Sequence, residues 1–355
     1  MRQRSQTADR IHVLAHANPA TKDVARLGLR SAADMLALIR AHAGATRGPT
    51  RAPLRVTGAP ALWEADEQEH RGGRRDDAAR VRDIQGALDD PRTLAIVAAN
   101  GGAYFSRILP ELRFDSLARR RTPLWAFGFS EMTTLVNVVA KHRMGRGVYW
   151  LCPSYLAWKL KPLEAGRAAF ARFWEQLPAV MAALDPRKAS RSAHAAASIR
   201  FERADLATIR GTLACGRWAR HSPARARLVG GCLSVLAGMA GAPLRLRPRI
   251  DGAWLVLEDV NEAPYRIDRF LAALKIAGWF ERAAGVLVGD FHTVEQRDQR
   301  PAVLELLRFH LPRDGRAPVV FTRDVGHVWP MSPVLLNRPL RLSWRGRRLE
   351  FRAPG

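Results

Sequence analysis

TLAIVAANGG (residues 93–102) and PLWAFGFS (residues 123–130) are short apolar runs closed by glycine. Continuous apolar runs of this length predict strands covered on both faces. The second run passes through Ser130 into a helical pattern from Glu131 to about His142. A third apolar run, IHVLAHA (residues 11–17), is stopped by Asn18-Pro19. Strands alternating with helices, with glycine turns at the strand C-terminal ends, predict a parallel sheet with helices on both faces. Ligands on such sheets bind at those ends, so the turns at Asn100–Gly102 and Gly128–Ser130 are where chemistry is expected.

Working outward, Asp23 to His42 reads as one helix, with Val24, Leu27, Leu29, Met35, Leu36 and Ile39 on its buried side. A strand is expected at Leu54–Thr57, a polar surface loop at Glu64–Asp77, and a helix at Ala78–Leu88 stopped by Asp89-Asp90-Pro91. Residues 161–196 read as a helical connector followed by a flexible stretch, DPRKASRSAHAAAS. A second domain begins near Ile199. It carries a helix at Cys232–Met239, a strand at Trp254–Leu257, a helix at Tyr265–Ala277, and strands at Ala284–Val288 and Pro318–Phe321. LRLSWRGRRLEF (residues 340–351) reads as a β-hairpin turning at Arg345-Gly346. The expected class is α/β, with an N-terminal mostly parallel sheet flanked by helices and a smaller, strand-rich C-terminal α/β domain. The expected division is 11–160 for the N-terminal domain, 161–198 for the connector and 199–355 for the C-terminal domain.

Composition limits the function classes. The 355 residues are 47% hydrophobic, enough for two cores, and disorder over most of the length is excluded. The net charge of +24 comes from 57 Lys+Arg against 33 Asp+Glu. Such a charge attracts anions, but the basic residues come in short pieces (Arg119–Arg121, Arg345–Arg348) with no nucleic-acid-binding signature. Nucleic acid is therefore not the expected partner. Cys152, Cys215 and Cys232 are odd in number and widely spaced, which speaks against a disulfide framework and for a reducing, cytoplasmic setting. No leader or membrane-spanning run is read, and the histidines lack paired ligand spacing, so neither metal nor cofactor is expected.

Three side chains stand where chemistry is possible. Ser130 sits on a tight turn between strand and helix, where a hydroxyl projects and backbone N–H groups point toward a developing oxyanion. Taken alone, a helix N-cap is the better reading of that serine. Gly102 allows close backbone approach and a second oxyanion donor, or is an ordinary turn residue. His327, in DVGHVWP, can act as a general base or as a structural hydrogen-bonder. Glu258 ends the apolar run WLVLE, where a buried carboxylate needs a partner such as an imidazole, or else marks a surface strand end.

The stretch LEDVNEAPYRIDRFLAALKIAGWFERAAGVLVGDF (residues 257–291) resembles the second-domain signature of the LD-carboxypeptidase family, the S66 serine peptidases that include microcin-immunity peptidases. ANGGAYFSRILPEL, GFSEMTTL, VGGCLSVLAGMAGAP and GHV resemble further family segments in the same order. The resemblance implies a catalytic triad of Ser130 as nucleophile, Glu258 as acid partner and His327 as base, with Glu262 the nearby rival carboxylate. It implies oxyanion donation by the backbone N–H groups of Gly102 and Glu131, and a site completed where the two domains meet. The implied reaction is hydrolysis of the L,D-peptide bond before a terminal D-alanine of muropeptides in cell-wall recycling, in a cytoplasmic enzyme that the family suggests is a homodimer.

The chain departs from the family pattern at defined points. Asn100 replaces an arginine, Ala103-Tyr104 replace Tyr-Gly, Glu131 replaces an aspartate and Cys232 replaces an asparagine. Two alternatives follow: a related hydrolase acting on a toxin or another modified peptide amide, and a non-catalytic ligand-binding homologue. The substrate-binding residues are not read from the sequence.

Overall fold

The computed structural model describes residues 9–44, 53–64, 76–185, 200–201, 204–216, 225–293, 295, 297–312 and 317–353. The chain divides into two compact units. The first runs through Gly147 and resumes over Leu151–Met181, and the second holds Val148–Trp150 and Ala182–Gly355. The stretch 186–198 of the expected flexible connector, Ile199 and most of the expected loop at Glu64–Asp77 lie outside the described residues.

Five strands belong to the first unit's sheet: β1 (Arg10–Leu14), β2 (Arg55–Thr57), β3 (Thr93–Ala98), β4 (Leu124–Gly128) and β5 (Gly145–Tyr149), in the order β2-β1-β3-β4-β5. The β2-β1, β1-β3 and β3-β4 pairs are parallel. All of β3 and β4 is buried, as continuous apolar runs require. The expected single helix at Asp23–His42 is instead two, Thr21–Arg26 and Ala32–Gly44. The break falls at Gly28, whose φ of 68° lies in the left-handed region, and Ser31 Oγ then accepts the Asp34 N–H at 3.1 Å. Strand β5 went unread because two glycines and an arginine weaken its apolar run. The glycines are needed there, since a Cβ at Gly145 or Gly147 would stand 1.9 Å from the Val139 or Val136 carbonyl oxygen.

Arg80 ties this unit's loops together. Its fully buried guanidinium donates to the carbonyls of His16 (2.6 Å) and Tyr104 (3.1 Å) and pairs with Asp76 (3.1 Å) and Asp77. The helix Asp77–Asp89 thus grips the loops that follow β1 and β3. Arg80→Met strands buried acceptors and carboxylates, and is expected to destabilise the fold by about 3–5 kcal/mol. Urea titration reads this as a lower midpoint at unchanged slope, and a loss under about 1 kcal/mol contradicts it.

The second unit contains β6 (Arg200–Phe201) and β7 (Ala204–Asp205), a small antiparallel pair. Its main sheet uses β8 (Thr208–Cys215), β9 (Arg225–Ala226), β10 (Leu228–Cys232), β11 (Trp254–Val260), β12 (Gly285–His292), β13 (Val319–Thr322), β15 (Leu340–Arg345) and β16 (Arg348–Arg352). A further strand, β14 (Val334–Leu335), pairs antiparallel with Val148 and Tyr149. The main order is β10-β11-β12-β13-β8-β16-β15-β9. The first four strands are parallel, and from β13 to β9 every pairing is antiparallel. The hairpin turns at Gly346, φ 59°. Among the described residues no helix is long and apolar enough to cross a membrane.

Candidate active site

Strand β4 ends at Gly128, where a Cβ would stand 2.7 Å from Met132 Cβ, so the chain turns sharply against its own following helix. Phe129 is extended and Ser130 takes φ 56°, a left-handed backbone that costs a non-glycine residue roughly 1–3 kcal/mol. The chain then passes through a 3-10 turn, Ser130–Met132, into the helix Thr133–Lys141, with Thr133 Oγ1 donating to the Ser130 carbonyl at 2.6 Å. A strained strand-to-helix turn of this kind is the geometry that a nucleophilic serine requires. Ser130 itself carries the positive φ, and the N-cap positions of the 3-10 turn and of the helix are Phe129 and Met132.

The loop after β3 lies beside it. A Cβ on Gly101 would sit 3.1 Å from Ser130 Cβ and 3.5 Å from its Oγ. Gly102 has φ 134°, and a Cβ there would fall 2.2 Å from the Asn18 side chain, so this position accepts glycine alone. Asn18 Oδ1 accepts the Ala103 N–H at 3.1 Å, and Asn100 Nδ2 donates to the Asn18 carbonyl (3.1 Å) and to Asp23 Oδ2 (3.0 Å). Burial pushes the Asp23 carboxyl up, against the bonds from Trp158 and Asn100 that favour its ionised form. The Glu131 side chain turns to this loop and accepts the Ser106 N–H at 2.7 Å. Burial raises its pKa too, in spite of that bond.

In the second unit, Glu258 lies near the end of β11 and is fully buried. Its Oε2 accepts from His327 Nδ1 at 2.7 Å, and its Oε1 accepts from the Tyr149 hydroxyl. Glu262 instead pairs with Arg266 at 3.6 Å, one helical turn along its own segment. His327 follows β13 in a loop fixed from several sides. Asp290 N–H donates to the Val325 carbonyl at 2.9 Å, Ser332 N–H to the Asp324 carbonyl at 2.7 Å, and Trp150 Nε1 to the Met331 carbonyl at 2.8 Å. Burial pulls the His327 pKa down, but the charge and hydrogen bond of Glu258 outweigh it, Asp259 and Asp290 add to them, and the net shift is upward.

Two further groups border the pair. Asp259 accepts the Ser234 N–H (2.7 Å) and the Val260 N–H (2.9 Å), and the Cys232 thiol points to it at 3.6 Å. Burial and the adjacent Glu258 charge push the Asp259 carboxyl up to about 6. Burial, then Asp259 and Glu258, raise the Cys232 thiol well above its usual range, so it stays protonated and is no nucleophile at neutral pH. Tyr149 was invisible to sequence reasoning, since a tyrosine ending a glycine-rich strand carries no motif. An unpaired oxygen on a fully buried glutamate was the one available hint that a donor had to exist.

The comparisons agree with this architecture. The LD-carboxypeptidase N-terminal domain model matches residues 11–149, and the C-terminal domain model matches residues 225–342. A Streptomyces coelicolor protein named a putative carboxypeptidase is 33% identical over 65% of this chain, and the matched stretch spans 64% of that relative's length. The murein tetrapeptide carboxypeptidase of Pseudomonas aeruginosa is 26% identical over 75% of this chain and 79% of its own. Among solved structures, an MccF-like protein from Bacillus anthracis superposes with TM-score 0.64 at 16% identity, covering 98% of this chain and 97% of that one. The muramoyltetrapeptide carboxypeptidase of Oxalobacter formigenes gives 0.60 at 20% identity, over 96% and 97%. With both family domains matched in order, and the fold shared nearly end to end, the chain belongs to the LD-carboxypeptidase family.

Proposed function

We propose that this protein is a serine carboxypeptidase that hydrolyses the L,D-peptide bond before a terminal D-alanine of cell-wall muropeptides. The observation that carries the reading is the Glu258–His327 pair, a fully buried carboxylate bonded to imidazole Nδ1 at 2.7 Å within a chain of this family. With Nδ1–H given to the carboxylate, Nε2 is the basic nitrogen. In this reading His327 takes the Ser130 proton, Ser130 Oγ attacks the peptide carbonyl, and the N–H groups of Gly102 and Glu131 stabilise the oxyanion. His327 then protonates the departing D-alanine amine, and water releases the acyl group by the same route in reverse. Three cysteines carried as free thiols accord with a cytoplasmic setting.

The test is release of free D-alanine from a muropeptide tetrapeptide, set against the diastereomer ending in L-alanine. Release from the first alone supports the reading. Release from neither removes the cell-wall assignment and favours a different amide, the reading that the Asn100 and Cys232 departures would then explain.

Two expectations attach to the pair. Tyr149→Phe leaves one oxygen of a buried carboxylate without its donor, so kcat is expected to fall about 10- to 100-fold with KM nearly unchanged. A rise in KM of matching size would instead mark Tyr149 as a substrate contact. The second concerns pH. His327 works as a base only when neutral, and its pKa is raised above the usual 6.5, so the acid limb of kcat/KM is expected to have its midpoint above that value. The same shift stabilises the fold at pH values below the unfolded histidine pKa, and that contribution is lost as pH rises through the folded value. Activity therefore rises over the window in which this part of the stability declines. A limb centred below 6.5 contradicts the assignment.

A further inference from the structure

The sequence scatters its arginines in short pieces, and the register of the second unit's antiparallel strands gathers them. Arg341 on β15 stands opposite Arg225 on β9 and Arg352 on β16, and Arg345 stands opposite Arg348. Arg348 and Glu350 in turn stand opposite Thr212 and Arg210 on β8, and Thr212 stands opposite Phe321 on β13. Directly opposed residues project from the same face of a sheet. The alternation confirms which face: Leu340, Leu342, Leu349 and Phe351 are buried, whereas Arg210, Arg341, Arg345, Arg348 and Arg352 are exposed.

Glu350, on this face, is shared by Arg210 (3.7 Å) and Arg352 (3.3 Å), and Arg210 pairs more closely with Asp205 at 2.7 Å. Arg225, Arg323, Arg341, Arg345 and Arg348 make no ion pair among the described residues. At its β13 side the face opens into a cavity of about 680 Å³ whose charged wall holds Arg210, Arg300, Arg323 and Arg348 against Asp298, Asp324 and Glu350, with Phe321 in its apolar lining. Arg300 is held there by Asp298, with contacts of 2.6 and 2.9 Å.

We propose that this sheet face binds single-stranded nucleic acid, the guanidiniums along the phosphodiester backbone and a base against Phe321 in the cavity. Cations recur at about 4.8 Å across neighbouring strands and about 13 Å along β15 and β16, where Ser343 and Glu350 stand between them, an extended array that suits a chain of repeated anions better than one small ion. Guanidinium forks match phosphate oxygens, and the partly buried Phe321 ring in the cavity offers an unpaired base a surface to pack on. A lipid surface would call for apolar side chains projecting among the cations. The outward positions of β15 and β16 are instead Arg341, Ser343, Arg345, Arg348, Glu350 and Arg352. The inference does not depend on the peptidase reading.

The test is fluorescence anisotropy of a labelled oligothymidylate titrated with the full chain over a range of salt. Binding is expected to weaken with salt, log K falling by about 0.7 per phosphate neutralised for each unit of log salt. Arg341→Gln/Arg345→Gln/Arg348→Gln removes exposed charges that hold no ion-pair partner among the described residues. It is expected to weaken binding at least tenfold at low salt and to flatten that slope by about 2. Arg30→Gln/Arg55→Gln/Arg121→Gln makes the same change in net charge within the first unit and is expected to leave both nearly unaltered. Equal effects from the two triple variants, or no binding at low salt, overturn the proposal. So does sedimentation with phosphatidylglycerol vesicles in preference to the oligonucleotide.

Discussion

Ser130→Ala is expected to lower kcat/KM for D-alanine release by about 10⁶-fold, with little change in KM. The size follows from the proposed chemistry. Removing the nucleophile of a covalent mechanism removes both half-reactions, and what survives comes from oxyanion donors and binding alone. The turn itself supplies the folding control. Ser130 sits at φ 56°, so Ser130→Gly relieves left-handed strain while also deleting the hydroxyl. The glycine variant is expected to be as inactive as the alanine variant and at least as stable as the parent. Equal release by Ser130→Ala and wild type would place the nucleophile elsewhere and sink the serine mechanism.

Glu258→Gln is expected to cost about 10⁴-fold in kcat, the scale seen when the acid of a triad becomes an amide. Here both carboxylate oxygens are acceptors, one for His327 Nδ1–H and one for the Tyr149 hydroxyl. A glutamine offers one acceptor and one NH₂ group. One of the two donors must therefore face another donor or turn its proton away. If His327 yields, its proton moves to Nε2, and that nitrogen can no longer accept a proton. Loss of the carboxylate charge also removes the main upward pull on His327, so the acid limb of any residual activity is expected to move to lower pH. A loss below about tenfold would show that the imidazole is oriented by something other than this pair.

The apolar runs were legible because a strand buried on both faces has to be apolar throughout, and β3, β4, β11, β12 and β13 each carry such a run. The hairpin at residues 340–352 was legible from its alternation, and the helices after β10 and β11 from their spacing. Strand β5 and strand β8 were not. Gly145 and Gly147 are set by close approach to a helix backbone, and Gly211 by the Val320 side chain and the Phe321 carbonyl, so their sequences answer to neighbours remote in the chain. The split of the first long helix was hidden for a related reason, because one left-handed glycine does not disturb the spacing of the apolar residues around it.

Glu258 and His327 were read through a family resemblance, and the structure puts those two side chains in contact. Glu262 stood beside Glu258 as a rival, and the Glu258–His327 bond together with the pairing of Glu262 to Arg266 separates the two. Tyr149 and Arg80 went unread because they act through long-range contacts that no local pattern announces. The arginine face was hidden in the same way, since strand register, and no sequence neighbourhood, decides which charges meet.

Gly289 on β12 sits opposite the irregularity in the β11–β12 pairing, and a Cβ there would stand 3.1 Å from Glu258 Cβ and 2.6 Å from the Val325 carbonyl oxygen. One hydrogen atom is thus all that separates the strand bearing the acid from the loop bearing the base. A side chain at this position would push on both at once, and no adjustment of either partner alone would restore their 2.7 Å bond. In lineages descended from a common ancestor, glycine here should persist for as long as the pair is in use. A diverged relative that keeps glutamate and histidine but has gained a side chain at this position would be one in which selection on the pair has already lapsed.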